Sequence, residues 1–364
     1  MKLAARALPL VSLLLLWFAA PAAAQSPAPA WKFVVGGDSR NCGDVVMPAV
    51  AAGANANAAA FYWHLGDFRA IYDFDQDILA ERRVAGSPPL AISDYFKVAW
   101  DDFLRSQIAA FGKTPVFLAI GNHELVSPKS RAEYIAQFAD WIDAAPIQSQ
   151  RLKDNPEDHR IRTYYHWIQN GVDFFALDNA SGDQFDAEQV AWLERAVNRD
   201  LADPAVTTIV AGMHAALPDS LASDHSMSDW AQGEQSGRRV YAALIKAQKA
   251  GKKVYVLASH SHFYMAGIFD SPYLRSRGGV LPGWIIGTTG AVRYALPSGA
   301  AQAKEAKTNV YGYLLASVNA DGSIGFEFKE IKEPDIPAPV VARYTSAFVH
   351  ECFTGNIRAE QPRK

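Results

Sequence analysis

The sequence predicts a layered α/β sandwich, with mixed β-sheets flanked by helices. Three observations carry that expectation. Short apolar, β-rich runs alternate with stretches of helical periodicity, the pattern of an α/β protein with a largely parallel inner sheet. The last two β-rich runs, 311–318 and 324–331, are joined around Asp321-Gly322 and read as an antiparallel hairpin, so the sheets are mixed rather than doubly wound. Finally, the apolar runs end abruptly in polar residues, and open α/β sheets bind ligands beyond the carboxyl ends of their strands.

In chain order, strands are expected at 32–35, 61–65, 116–120, 172–177, 207–210, 254–257 and 284–286. Helices are expected at 45–60, 92–110, 131–144, 187–201 and 238–250. In the helix at 187, Val190, Leu193 and Val197 recur at helical spacing behind Asp186, a suitable N-cap. Segments 68–90, 143–163 and 215–236 read as long loops near the edge where the strands end.

Ahead of the first strand, Lys2 and Arg6 precede an apolar run, 8–20, too short to span a bilayer, and an alanine-rich end follows. That is a secretory signal peptide, 1–24, followed by a loose leader, 25–30. The chain is then one domain, 31–331, with a C-terminal tail, 332–364, packed on it. The expected location is a bacterial periplasm, with no membrane span once the signal is removed. Losing residues 1–24 moves the formal charge from −3 to −5, and so acidic a body argues against a general nucleic-acid binder. Two cysteines, Cys42 and Cys352, stand at opposite ends of the mature chain. In an oxidising compartment they are expected to form a disulfide, pinning the proline-rich tail; two buried free thiols are the alternative.

Five pieces follow apolar strands directly: Gly37-Asp38-Ser39-Arg40, Gly66-Asp67, Gly121-Asn122-His123-Glu124, His214, and His260-Ser261-His262. Five separate strands thus deliver metal-capable side chains to one edge. In order and type the pieces resemble the calcineurin-like metallophosphoesterases, whose pattern is Asp-x-His, Gly-Asp, Gly-Asn-His-Asp/Glu, a lone His and Gly-His-x-His. Residues 176–179, 189–193 and 287–290 resemble further segments of that family, so the likeness spans about 31–330.

The resemblance implies phosphate-ester hydrolysis by a hydroxide bridging two cations, a small-molecule or head-group phosphate ester as substrate, and a metal site at the strand carboxyl ends. Two cations about 3.5–4 Å apart can bind phosphate oxygens and stabilise the transition state. One carboxylate must bridge them, which suits Asp67. By resemblance, Asp38 and His262 complete metal A, while Asn122, His214 and His260 complete metal B. His260 and His262 are two apart, so on extended chain both rings face one way. Imidazole, carboxylate and amide ligands together fit manganese, iron or zinc, and nothing selects among them. His123 is implied as the non-ligand proton donor or phosphate stabiliser, with an ordinary pKa suited to acid catalysis.

The chain departs from the family where Arg40 replaces the usual histidine. Arginine cannot ligate a metal, having no free lone pair. It is read either as a phosphate contact, beside Asn122, or as a charge paired with a carboxylate. Ser259 replaces a glycine, a minor change. Asp73, Asp75 and Asp77 alternate like a calcium loop, but Ile78 stands at the required glycine position, so a solvated loop is expected. His64 reads as a packed histidine, and His159, His166, His225 and His350 as structural or surface residues. Trp63, Tyr72, Tyr95, Tyr264 and Tyr294 read mostly as core.

Two other functions compete. Gly37-Asp38-Ser39 also resembles the first block of secreted SGNH-type serine esterases, with Ser39 as nucleophile. That reading lacks the family's later blocks and leaves His214, His260 and His262 unexplained. A metal-binding, non-enzymatic descendant of the fold is the second, suggested by Arg40.

Overall fold

The computed structural model describes residues 30–222 and 225–358. The expected signal peptide lies outside the described residues. Twelve strands are present among the described residues. The first six are β1 (Trp31–Gly36), β2 (Tyr62–His64), β3 (Val116–Leu118), β4 (Tyr165–Gln169), β5 (Val172–Leu177) and β6 (Thr208–Met213). The rest are β7 (Lys253–Ala258), β8 (Tyr264–Ala266), β9 (Gly283–Ile286), β10 (Glu305–Lys307), β11 (Tyr311–Val318) and β12 (Ile324–Ile331). They form two sheets, ordered β12-β11-β1-β2-β3 and β10-β8-β9-β7-β6-β5-β4.

Both sheets are mixed. The strands β1, β2 and β3 run parallel, while β11 pairs antiparallel with β1 and with β12, which is the expected hairpin. In the second sheet β5, β6, β7 and β9 run parallel between antiparallel margins. The sheets face each other through aromatic side chains. Phe33 and Phe61 stand edge-on to Phe174 at 5.2 Å, and Trp63 meets Trp167 at 5.4 Å. Such pairs add to the burial of large apolar area that holds the layers together.

The helices begin with α1 (Gly43–Ala56), α2 (Gln76–Val84) and α3 (Ile92–Ser106). They continue with α4 (Arg131–Ile142), α5 (Ala145–Asp154), α6 (Ala187–Ala202) and α7 (Ala231–Lys249). Of these, α1 packs against the first sheet, and α6 and α7 against the second. A short α8 (Pro272–Ser276) precedes the last two, α9 (Ala338–Tyr344) and α10 (Ser346–Thr354). The Asp186 side chain caps α6 by accepting from the Gln189 N–H at 2.7 Å, as expected. The helix α7 begins seven residues earlier than expected, at Ala231, and two segments read as loops contain α2 and α5. The C-terminal helices pack beside α1 and α2. Tyr344, Phe348 and Val349 share a core with Val46 and Val50, and Cys352 is bonded to Cys42 with a Cα–Cα distance of 5.9 Å. Among the described residues no helix is long and apolar enough to cross a membrane.

Candidate metal centre

Asp38, Asp67, His214 and His260 each follow a strand within a few residues, and the sheets bring these ends together. Asp38, Asp67 and His260 all take the left-handed backbone conformation, with φ of 58°, 59° and 65°. That turns the chain sharply off the strand, and such conformations cluster at functional sites. The loops also approach closely. A Cβ on Gly66, at φ 95°, would stand 2.5 Å from the Gly121 nitrogen, and one on Gly121 would stand 2.3 Å from Asp67 Oδ1. Both positions require glycine.

Two groups of donor atoms result, Asp67-His214-His260 and Asp38-Asp67-His262, each with its ligand atoms within 4.8 Å of one another. Asp67 belongs to both, the position expected of a bridging carboxylate. In the first group, His214 Nε2 faces Asn122 Oδ1 at 2.9 Å, His260 Nδ1 at 3.0 Å and Asp67 Oδ1 at 3.2 Å. The other nitrogen, Nδ1, donates to the Leu65 carbonyl at 2.9 Å, which fixes the ring and aims Nε2 inward. In the second group His262 Nδ1 donates to the Val292 carbonyl at 2.6 Å, and Nε2 lies 3.2 Å from Asp38 Oδ1.

A cation fits among these atoms. Asp38 Oδ1 and Asp67 Oδ2 are buried with no hydrogen-bond partner. A buried carboxylate oxygen left bare is expensive unless something positive meets it. Burial works to raise the pKa of Asp38, but the neighbouring His262 and His214 outweigh it and hold Asp38 at about 2. Burial likewise opposes charge on His214, yet the Asp67 carboxylate wins and raises it to about 10. A proton held so by Asp67 is one that a bound metal would displace.

The surrounding residues position the ligands. Glu124 accepts from the N–H groups of Asp67 and Gly121, each at 2.8 Å, and of Phe68 at 2.9 Å, so it clamps two strand-end loops. The Ser259 hydroxyl and the His260 N–H, at 2.7 Å, both donate to Asp38 Oδ2. Ser259 is thus a support for Asp38 rather than a neutral change. Neither role was legible beforehand: Glu124 was visible only as part of its motif, and Ser259 only as a departure from glycine.

Beside the donors, His123 is buried and donates from Nδ1 to the Ala70 carbonyl at 2.5 Å, with Nε2 at 3.6 Å from Asp67 Oδ2. Burial and the Arg40 charge together hold it down at about 4 against the pull of Asp67, so the ordinary value expected from sequence does not survive. Arg40 is 4% exposed; Nη1 donates to the Tyr72 hydroxyl at 3.0 Å and Nη2 faces His262 Nε2 at 3.2 Å. No ion pair with a carboxylate holds it among the described residues. Tyr294 stacks on His262 with ring centres 4.0 Å apart. Tyr72, expected as core, is instead 62% exposed at the mouth of the site, its ring 5.0 Å from His123. His225, expected to be structural or superficial, packs against His260 and Tyr294, each at 5.3 Å. Trp63, Tyr95 and Tyr264 are core, and His64 is packed as expected, edge-on to Phe68 at 4.9 Å.

The solvated loop at 73–77 is a misreading. Asp73 is exposed, but Asp75 and Asp77 are fully buried. Asp75 accepts from the Asn41 N–H and the Tyr95 hydroxyl, both at 2.5 Å, while Asp77 pairs with the buried Arg69 at 3.0 Å. These acids brace the loop that carries Asp67.

Among solved structures, a dimetal phosphatase from Danio rerio is similar at a TM-score of 0.51, with 11% identity over 83% of this chain and 96% of that one. The structure of PhoD is similar at a TM-score of 0.49, with 13% identity over 90% of this chain and 77% of that one. No curated protein sequence matches the chain. The model of the calcineurin-like phosphoesterases matches residues 44–264, which takes in Asp67, Asn122, His214, His260 and His262 and leaves Asp38 and Arg40 outside. That match covers more than half of the sequence, and the chain therefore belongs to the calcineurin-like phosphoesterase family.

Proposed function

We propose that the chain hydrolyses phosphate esters at this centre, in a compartment outside the cytoplasm. The observation that carries the reading is the pair of bare, buried carboxylate oxygens on Asp38 and Asp67, aimed among converging imidazoles. Divalent metal bound there, whether manganese, iron or zinc, would supply Lewis acidity and an attacking water of lowered pKa. Asp67, Asn122, His214 and His260 would hold one ion; the resemblance adds Asp38, Asp67 and His262 as the set for a second.

The chain's own part is to bind and orient the phosphate and to manage a proton. Arg40 presents a guanidinium to a phosphate oxygen, its charge fixed in place by Tyr72. Asn122 offers its amide N–H₂ to the same group. His123 is neutral in the resting site, and an arriving phosphate dianion raises its pKa by putting negative charge beside Nε2. So charged, it donates to the leaving oxygen. Export is supported by the N-terminal signal pattern and by the disulfide, which suits an oxidising compartment. Residues 31–331 serve as the catalytic domain and 332–364 as its tail, held against it over the described residues to 358.

The serine reading fares worse. Ser39 is fully buried, and its partner at 2.9 Å is His64 Nε2. His64 Nδ1 accepts the Gly66 N–H at 3.1 Å, so Nε2 carries the hydrogen and donates to the serine. A ring in that tautomer cannot take the hydroxyl proton. The test is a panel of phosphomonoesters and phosphodiesters assayed with added metal, after chelation, and after a serine-directed phosphonate. Hydrolysis that the chelator abolishes and the phosphonate spares is the expected result. Loss to the phosphonate hands the case to the esterase, and metal binding without any hydrolysis to the non-enzymatic descendant.

A further inference from the structure

We infer that this centre binds one metal ion tightly, on Asp67, Asn122, His214 and His260, and that the Arg40 guanidinium is the resident cation of the second cluster. The inference rests on the metal-dependent reading above and departs from a two-metal centre.

The argument is one of lone pairs. The Val292 carbonyl can only accept, so His262 Nδ1 carries the ring hydrogen and Nε2 keeps the lone pair. That lone pair is the one ligand atom His262 can offer a metal. Arg40 Nη2 stands 3.2 Å from it, and a guanidinium only donates. The same nitrogen therefore serves either the arginine or a metal, never both. Among the described residues no arginine or lysine makes the corresponding contact in the first cluster: His214 Nε2 faces an amide oxygen, a carboxylate oxygen and another ring nitrogen.

Arg40 is also built to stay. It is buried, donates to the Tyr72 hydroxyl at 3.0 Å and reaches the Tyr294 hydroxyl at 3.5 Å. Tyr294 in turn stacks on His262, so the ring and the guanidinium are held by one side chain. A divalent ion entering the second cluster must displace that guanidinium or sit against its charge.

The experiment is metal counting on the mature full chain, loaded with excess Mn²⁺, desalted and read by native mass spectrometry, with Mn²⁺ paramagnetic resonance alongside. The wild type is expected to hold one Mn²⁺ with the spectrum of an isolated ion. Arg40→His, which frees His262 and adds a ligand, is expected to hold two and to show a spin-coupled pair. Arg40→Ala, which frees His262 alone, should recover the second ion at lower affinity, and it serves if the histidine variant misfolds. Two ions retained by the wild type, or one ion in both folded variants, overturns the inference while leaving the metal-dependent reading intact. No ion in any of the three overturns that reading, and this inference with it.

Discussion

Two groups of buried carboxylates interleave between residues 38 and 102 of the chain and are built on opposite principles. Asp44, Asp77 and Asp102 surround Arg69, itself fully buried, with Asp44 at 2.5 Å, Asp77 at 3.0 Å and Asp102 also in contact. Their remaining oxygens are answered too. Asp44 accepts from the Tyr344 hydroxyl at 2.8 Å and from Gln107 at 3.0 Å, Asp77 from the Asp44 N–H at 2.9 Å, and Asp102 from Ser106 at 3.2 Å. Asp38 and Asp67 are as deeply buried, yet each keeps one oxygen without a partner. Burial of an acid is common to both groups; the leftover lone pair is not. A satisfied carboxylate ties α1, α2 and α3 to the loop of Asp67, whereas an unsatisfied one points at whatever the site binds.

The sharpest way to break that contrast is to remove one member of each group. Asp67→Ala is expected to lose bound metal and drop turnover to background while unfolding at the wild-type temperature or above, since a bare buried charge has gone. Arg69→Met is expected to do the opposite. It leaves three buried acids uncompensated, and breaking such a pairing costs about 3–5 kcal/mol of stability. The fraction still folded should keep its metal. Calorimetry and metal analysis on both variants decide it: a destabilised Asp67→Ala with metal retained would dissolve the distinction.

A smaller effect is expected at His123, proposed above as the proton donor beside the ligand set. His123→Ala should lower kcat by about 10²–10⁴, the worth of a positioned acid, and leave metal content unchanged. The deficit should shrink for esters with acidic leaving groups, which need no proton. Burial and Arg40 hold the resting pKa down at about 4, so the acid form depends on bound phosphate. An equal loss across leaving groups would return His123 to the structural class.

The functional group was the more legible of the two in the sequence. A candidate ligand placed after an apolar strand announces itself, because polarity changes abruptly at a position the fold exposes to one edge. That is why Asp38, Asp67, Asn122, His214, His260 and His262 could be named and are found together, and why both sheets and the β11–β12 hairpin were foreseeable. The Arg69 knot gives no such signal. Its acids come from positions 8, 25 and 33 residues away, so their burial is a fact of tertiary packing. Asp75 and Asp77 were misread for that reason, their spacing looking like a solvated loop. The three-residue strands β8 and β10 were missed, whereas β2 and β3, equally short, stand inside longer apolar runs that announce them. Arg40 was visible as a departure, but only coordinates show that it reaches His262.

The contrast extends to imidazoles, where the expected effect is smallest. His166 and His214 are both buried and both raised to about 10, burial opposing in each case and a carboxylate prevailing, Asp173 for the first and Asp67 for the second. The difference lies in what the nitrogens face. His166 holds Asp173 at 2.8 Å on Nδ1 and Asp154 at 2.6 Å on Nε2, so both are answered within the protein and nothing is left for a ligand. It is therefore predicted to be structural. A folded pKa above the ordinary 6.5 means that its stabilisation is present in full below about 6.5 and is lost as pH rises through about 10. His166→Gln should accordingly destabilise the chain at pH 6 by about 1.5–3 kcal/mol, the range for a hydrogen bond to a charged group. At pH 10 the gap between variant and wild type should narrow, and turnover of folded protein should match the wild type at neutral pH. Denaturant titrations at the two pH values, with assays beside them, would sink the idea if the gap stayed constant or if turnover fell with the substitution.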